Sequence, residues 1–258
     1  MLKTAIIAIA KNENQYINEW LDYHFNLGFD AVILCDNDDE MILKDVVTDN
    51  RVFFEDYTKQ TGVQQKSYRD CYRKYRQQFD WFLIIDIDEF LVLENKSLQD
   101  FLSSFNEDVE CVKLCYKHFT DNNELDIIDG NDSVLNRFKT TIETRMDVWT
   151  KQFVRNNLKE EQIQWICQHY INDRTVHSVD ATGKECENRM SLPNVVYENA
   201  WINHYRTKTI GEFIRQKYFR GGINYNNNRY HSLRYFWETN EYSSEKEEYA
   251  KKLIQELA

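Results

Sequence analysis

The chain has 258 residues, enough to bury a sizeable core, and its 42% hydrophobic content with 1 proline and 7 glycines is that of a compact globular protein. The formal net charge of -11 excludes nucleic acid as a general partner, because phosphate backbones are bound by basic surfaces. The 6 cysteines show no CxxC pair and no zinc spacing.

Thr4 to Ala10 (TAIIAIA) reads as a buried strand, with Asn12 capping the next helix and Gln15 as its capping partner. Leu2 to Ala10 is too short for a signal peptide, and no run approaches the roughly 18 apolar residues of a spanning helix. A reduced cytoplasmic compartment is therefore expected. Ile17, Trp20, Leu21, His24 and Gly28 share one helical face, and Gly28 suits the stop. Ala31 to Cys35 is a second strand ending at the turn Asp36-Asn37-Asp38-Asp39, and Val52 to Phe54 is a short third. Gln64 to Gln78 has helical composition, and Trp81 to Ile85 is a fourth strand.

Ser97 caps a helix over Leu98 to Phe105, Val109 to Tyr116 reads as a strand, and Thr120 to Asp132 as a polar, acidic loop. From about Val148 short strand-like and irregular pieces lead to a helix over Gly211 to Phe219. Ser244 to Leu257 closes the chain as an amphipathic helix with Tyr249, Leu253 and Leu257 on its buried stripe. Strands alternating with helices predict an α/β protein with a parallel sheet. With no repeat or flexible linker, residues 1–145 form an α/β core, and residues 146–258 an acceptor-side and closing region packed on it.

The most informative stretch is WFLIIDIDEF, Trp81 to Phe90. Five apolar residues suit a strand covered on both faces, and Asp86 and Asp88 follow at period-two spacing, so both project from one face at its end. Two carboxylates this close repel unless a cation lies between them, and a divalent ion gripping a diphosphate is such a cation. Ligands of parallel sheets bind beyond the carboxyl ends of the strands, where Lys11-Asn12-Glu13 and Asp36-Asn37 also fall. The segment from His204 to Arg234 carries Arg206, Lys208, Arg215, Lys217, Arg220, Arg229 and Arg234 against one acid, Glu212. It alone offers an excess of cations for a departing diphosphate.

With these pieces in hand the chain resembles the DUF23-like glycosyltransferases, close to glycosyltransferase family 92 and its bacterial, family 2-related kin. The matching stretches are KNENQYINEWLDYHFNLGFDAVILCDND, QQKSYRDCYRKY, FDWFLIIDIDEFL, HFTDNNELDIIDGNDSVLNRF and INHYRTKTIGEFIRQKYFRGG, in the family's order. The resemblance implies a GT-A fold (Rossmann-like, with a mixed, mainly parallel sheet), a UDP-sugar donor, galactose being one candidate sugar, and Mn2+ or Mg2+ on the Asp-x-Asp. It further implies inverting transfer to a saccharide or lipid-linked saccharide, in surface polysaccharide or glycan synthesis, with peripheral contact at the inner face of a membrane. By position it puts Lys11, Asn12, Glu13 and Gln65 on the donor, Asp36 and Asn37 near base and ribose, and Asp86, Asp88 and His204 on the metal. Tyr116 and Thr120 stand where relatives often carry Trp and Gly. Trp149 to Asn188 matches only loosely, through Lys151, Arg155 and His177, on the acceptor side.

The chemistry needs a leaving group stabilised by the metal and by Lys217 or Arg220, and a carboxylate base across the sugar. Asp121, in a polar loop after a strand, is the expected base, exposed to a groove; a turn-capping role is its structural alternative. Glu89 is the reserve, its alternation aiming it away from Asp86 and Asp88. A haloacid-dehalogenase-like phosphatase also carries an apolar strand followed by Asp-x-Asp, but on its first strand and with Thr or Val where this chain has Phe90. A non-catalytic saccharide binder of the same fold has no need of the acidic pair.

Overall fold

The structure, a computed structural model, describes residues 1–127, 133–219 and 232–258. Arg220 and Arg229, and the end of the acidic loop at Asp132, lie outside the described residues. The strands are β1 (Thr4–Ala10), β2 (Ala31–Asp36), β3 (Val52–Asp56), β4 (Trp81–Ile84), β5 (Glu89–Leu93), β6 (Cys111–Phe119), β7 (Thr141–Ile142), β8 (Thr150–Arg155), β9 (Ser178–Asp180) and β10 (Ala200–His204). The helices are α1 (Ile17–Leu27), α2 (Leu43–Val46), α3 (Gln64–Tyr75), α4 (Leu98–Ser103), α5 (Val134–Arg137), α6 (Glu160–Ile163), α7 (Ile210–Phe213), α8 (Leu233–Trp237) and α9 (Ser244–Leu257). A π-helical turn, Ile214–Tyr218, continues α7.

One mixed, mostly parallel sheet runs β3-β2-β1-β4-β8-β6-β10-β5, with β7 and β9 attached to β6. This is the α/β, GT-A-type architecture the sequence predicts. Strands β3, β2, β1 and β4 are parallel, and β8 enters antiparallel between β4 and β6. Alternation along β1 explains the layers. Ile6 and Ala8 face a core built on Trp20, Leu21 and Phe25 of α1, whereas Ala5, Ile7 and Ile9 face Tyr68, Cys71 and Tyr72 of α3.

Strand β6 sets the site. Its first half, Cys111 to Cys115, pairs with β8, and from Tyr116 to His118 it pairs with β10, which in turn holds β5. The sheet therefore crosses the boundary expected between residues 145 and 146: β8 and β10 are woven into it and do not stand beside it.

Local outcomes differ from expectation where backbone groups found other partners. Asn12 does not cap α1; it adopts φ 55°, and its N–H donates to the Asp38 carboxylate. Helix α1 begins after Tyr16, where the Glu13 carbonyl accepts the N–H groups of Tyr16 and Ile17. Gly28 does end α1, at φ 105°, and the Ser97 side chain does cap α4. In α9 the buried positions are Lys246, Ala250 and Leu253, while Leu257 is 48% exposed, one turn beyond the cluster formed with Phe213 and Phe236. Among the described residues no helix is long and apolar enough to cross a membrane.

Candidate metal and donor site

Strand β4 ends at Ile84, and Asp86, Ile87 and Asp88 form a tight turn closed by the Glu89 N–H on the Asp86 carbonyl (3.1 Å). Asp86 and Asp88 thus belong to a turn and not to a strand end. That turn also brings in Glu89, which the alternation had aimed away. Glu89 opens β5 opposite His204, the last residue of β10. His204 Nε2 lies 3.7 Å from Asp88 Oδ1 and 3.8 Å from Glu89 Oε1. Ligand atoms of Asp88, Glu89 and His204 all lie within 4.8 Å of one another, close enough to share one cation.

Two ammonium groups neutralise the acids. Lys151, fully buried on β8, places Nζ 2.7 Å from Asp86 Oδ2 and 3.2 Å from Glu89 Oε2. Lys217 Nζ, from the π-helical turn, sits 2.5 Å from Asp88 Oδ2 and 2.5 Å from the Arg206 carbonyl. Desolvation alone would push both aspartates up, but Lys151 holds Asp86 below the usual range, and Lys217, aided by His204, holds Asp88 well below it. Glu89 behaves oppositely. Complete burial, only partly opposed by Lys151 and reinforced by Asp86 and Asp88, pushes its carboxyl up to about 8. Burial takes His204 down to about 3, so its imidazole is neutral at pH 7 and able to ligate.

Further side chains fix these groups. Asp86 Oδ1 accepts from Gln64 Nε2 and Tyr68 OH, each at 3.1 Å, both from α3. Tyr116 OH donates to Glu89 Oε1 at 2.8 Å, and its ring lies 4.7 Å from that of His204. On the other side the His118 ring lies 5.1 Å from His204, its Nδ1 2.6 Å from Asp147 Oδ1. His204 Nδ1 is buried without a hydrogen-bond partner among the described residues. The Asp88 and Glu89 carboxyls and His204 Nε2 face one another, a donor set that fits a divalent cation, whose charge would draw the proton off Glu89; Asp86 stands beside the set, bound to Lys151.

The other expected site residues fall into three groups. Lys11 and Glu13 lie at the carboxyl end of β1, on the same sheet edge as the turn. Asp36 and Asn37 lie at the end of β2, where Asp36 braces its own loop and Asn37 ties it to the loop after β3. Asp36 accepts the N–H groups of Asp38 and Leu43, and Asn37 Nδ2 donates to the carbonyls of Tyr57 and Gln60. Gln65, expected on the donor, is exposed and accepts from Arg69, while helical phase turns its neighbour Gln64 inward with Ser67 and Tyr68.

Asp121 does not meet the exposure its expected role as base requires. It is 1% exposed, Oδ1 accepts the Asn123 N–H at 3.0 Å in its own turn, and Lys246 Nζ of α9 lies 2.7 Å from Oδ2. Among the described residues of the basic segment, three cations are already paired. Arg206 pairs with Glu238, Arg215 with Asp126, and Lys217 with Asp88.

Sequence reasoning missed Gln64, Tyr68, His118 and Asp147, and gave Lys151 and Tyr116 no role beside the acidic cluster. A lysine inside the strand-like TKQFVR was the available signal, since a buried lysine requires a buried acid.

Comparison with known proteins places the chain. The model of glycosyltransferase family 92 matches residues 7–244. A glycosyltransferase family 92 protein of Oryza sativa subsp. japonica is 26% identical over 106 residues, which is 39% of this chain and only 18% of that protein. Among solved structures, the mannosyltransferase PcManGT from Pyrobaculum calidifontis, in complex with GDP-Man and Mn2+, is 14% identical over 44% of this chain and 35% of its own, with a TM-score of 0.36. The 4-diphosphocytidyl-2C-methyl-D-erythritol synthase of Anaerococcus prevotii DSM 20548 is 13% identical over 76% of this chain and 92% of its own, with a TM-score of 0.39.

Proposed function

The chain belongs to glycosyltransferase family 92, and from that premise we propose that it is a metal-dependent enzyme moving a sugar from a UDP-sugar to a saccharide acceptor. The observation that carries the metal dependence is the convergence of Asp88, Glu89 and His204 at one sheet edge, within 4.8 Å. These three hold the ion, Mn2+ or Mg2+, and Asp86 orients the set. The ion supplies charge neutralisation for the diphosphate as it leaves.

The chain's own residues do the rest. Lys217, bound to Asp88, is the cation nearest to hand for the donor's phosphates, and Lys151 keeps Asp86 ionised beneath them. Lys11 and Glu13 border the nucleotide, and Asp36 and Asn37 shape its loop. Glu89 acts as a ligand and not as the base, because it is fully buried among the other ligands. The family leaves no place for the phosphatase alternative.

A thermal-shift panel of nucleotide sugars with and without Mn2+ tests this reading, because a ligand that binds only the folded state raises its melting temperature. UDP-sugars are expected to stabilise the protein only when the metal is present. Equal stabilisation without metal, or none by any nucleotide sugar, contradicts it.

A further inference from the structure

Lys208 differs from the other described cations of the segment after β10. Arg206, Arg215 and Lys217 each face a carboxylate. Among the described residues, no carboxylate lies within ion-pair distance of the Lys208 ammonium, and it makes no hydrogen bond. Yet Lys208 is only 3% exposed. A lysine this deep ordinarily brings an acid with it, because burying an ammonium without an anion is costly. What it has instead is an aromatic face: Nζ stands 4.4 Å from the centroid of the Tyr16 ring.

Both sides of this contact are anchored beside the acidic cluster. Tyr16 ends the loop that leaves the carboxyl end of β1, and its hydroxyl donates to the Glu212 carboxylate. Arg137 grips the same carboxylate through Nη1 at 2.9 Å and Nη2 at 2.8 Å, so the ring beneath Lys208 is fixed. On the other side, the Tyr205 N–H donates to the Asp88 carbonyl at 2.9 Å. Lys217 Nζ lies 2.5 Å from both Asp88 Oδ2 and the Arg206 carbonyl, so the chain passes against Asp88 two residues before Lys208. Against the desolvation that would raise it, the Asp88 carboxyl is held down by Lys217, then His204, then Lys208; the Lys208 charge is felt at the cluster. Lys208 also adopts φ 54°, a left-handed conformation that a lysine keeps only where its surroundings impose it. A buried ammonium on an aromatic shelf, without an anion and beside the metal cluster, is suited to an anion that arrives with the substrate.

We infer that Lys208 contacts the diphosphate of the nucleotide donor directly, as a cation distinct from Lys217 and from the metal. This rests on the transferase reading above, and the test keeps the two apart. The full chain is titrated by calorimetry with Mn2+ alone, and in Mn2+ with UDP and with inorganic pyrophosphate. Lys208→Asn removes the ammonium with a residue that tolerates the left-handed backbone, Lys208→Gln is a second neutral variant, and Lys208→Arg restores a cation. Both neutral variants are expected to bind UDP and pyrophosphate about tenfold more weakly, with a gentler dependence on salt. Lys208→Arg should bind close to wild type, and Mn2+ alone should bind no less tightly to any of the three. A crystal structure of the wild type with UDP and Mn2+, which needs no variant, should place Nζ within hydrogen-bond distance of a phosphate oxygen. Neutral variants that bind UDP like wild type, or an ammonium in that complex with no phosphate oxygen beside it, overturn the inference and leave the transferase reading standing. Lys208-dependent binding of pyrophosphate by a protein that ignores UDP would leave the diphosphate site standing and remove the UDP-sugar reading.

Discussion

Lys151 reaches from the middle of the sheet to place its ammonium 2.7 Å from Asp86 Oδ2, with a side chain that has no exposure at all. A buried lysine is tolerated only because Asp86 and Glu89 face it, and those acids lie this close together only because Lys151 lies between them. The pair therefore couples fold and chemistry.

Lys151→Met should cost about 3–5 kcal/mol of stability, because it leaves fully buried Glu89 beside half-buried Asp86 without their shared cation. Urea unfolding measures this. A variant unfolding at the wild-type midpoint would show that the ammonium does not compensate these acids.

Lys217→Ala should weaken UDP binding while the protein keeps its fold, since Lys217 is the cation adjoining Asp88 from outside the sheet. The wild-type affinity should fall with added salt, and the variant's should fall less. Nucleotide binding by the variant equal to wild type at low salt would restrict Lys217 to a structural ion pair.

His24 makes stability pH-dependent. Its Nδ1 lies 2.8 Å from the Trp20 carbonyl and its Nε2 accepts the Leu91 N–H, an arrangement only the neutral ring can make. Burial accordingly takes its pKa from 6.5 to about 3. Because the unfolded chain binds the proton first, the stabilisation is complete above about pH 6.5 and declines as pH falls toward 3, by about 1.4 kcal/mol per unit. His24→Gln, whose amide donates and accepts without titrating, should show a shallower loss across that window. Parallel acid-unfolding profiles for the two proteins would assign the acid sensitivity to other groups.

The core strands and the closing helix were legible because each is written locally, in apolar runs and periodicity. What escaped was set by distant partners. Whether Gln64 or Gln65 faces the site depends on helical phase against the sheet. Asp121 is taken from the surface by Lys246, a residue 125 positions further along the chain. Glu89 meets Asp88 and His204 because the chain turns immediately after Asp88 and pairs β5 with β10, a register that no local pattern encodes. His118 and Asp147 meet only because β6 changes partner at Tyr116.

Removing one ligand charge tests the central claim most directly. Turnover of a UDP-sugar by wild type and Asp88→Asn is compared in manganese and in chelator, with melting temperatures recorded alongside. Wild type should work only with metal, and Asp88→Asn should lose about a hundredfold or more in rate while remaining folded. Undiminished turnover by the variant, or by wild type in chelator, would contradict a metal held by Asp88, Glu89 and His204.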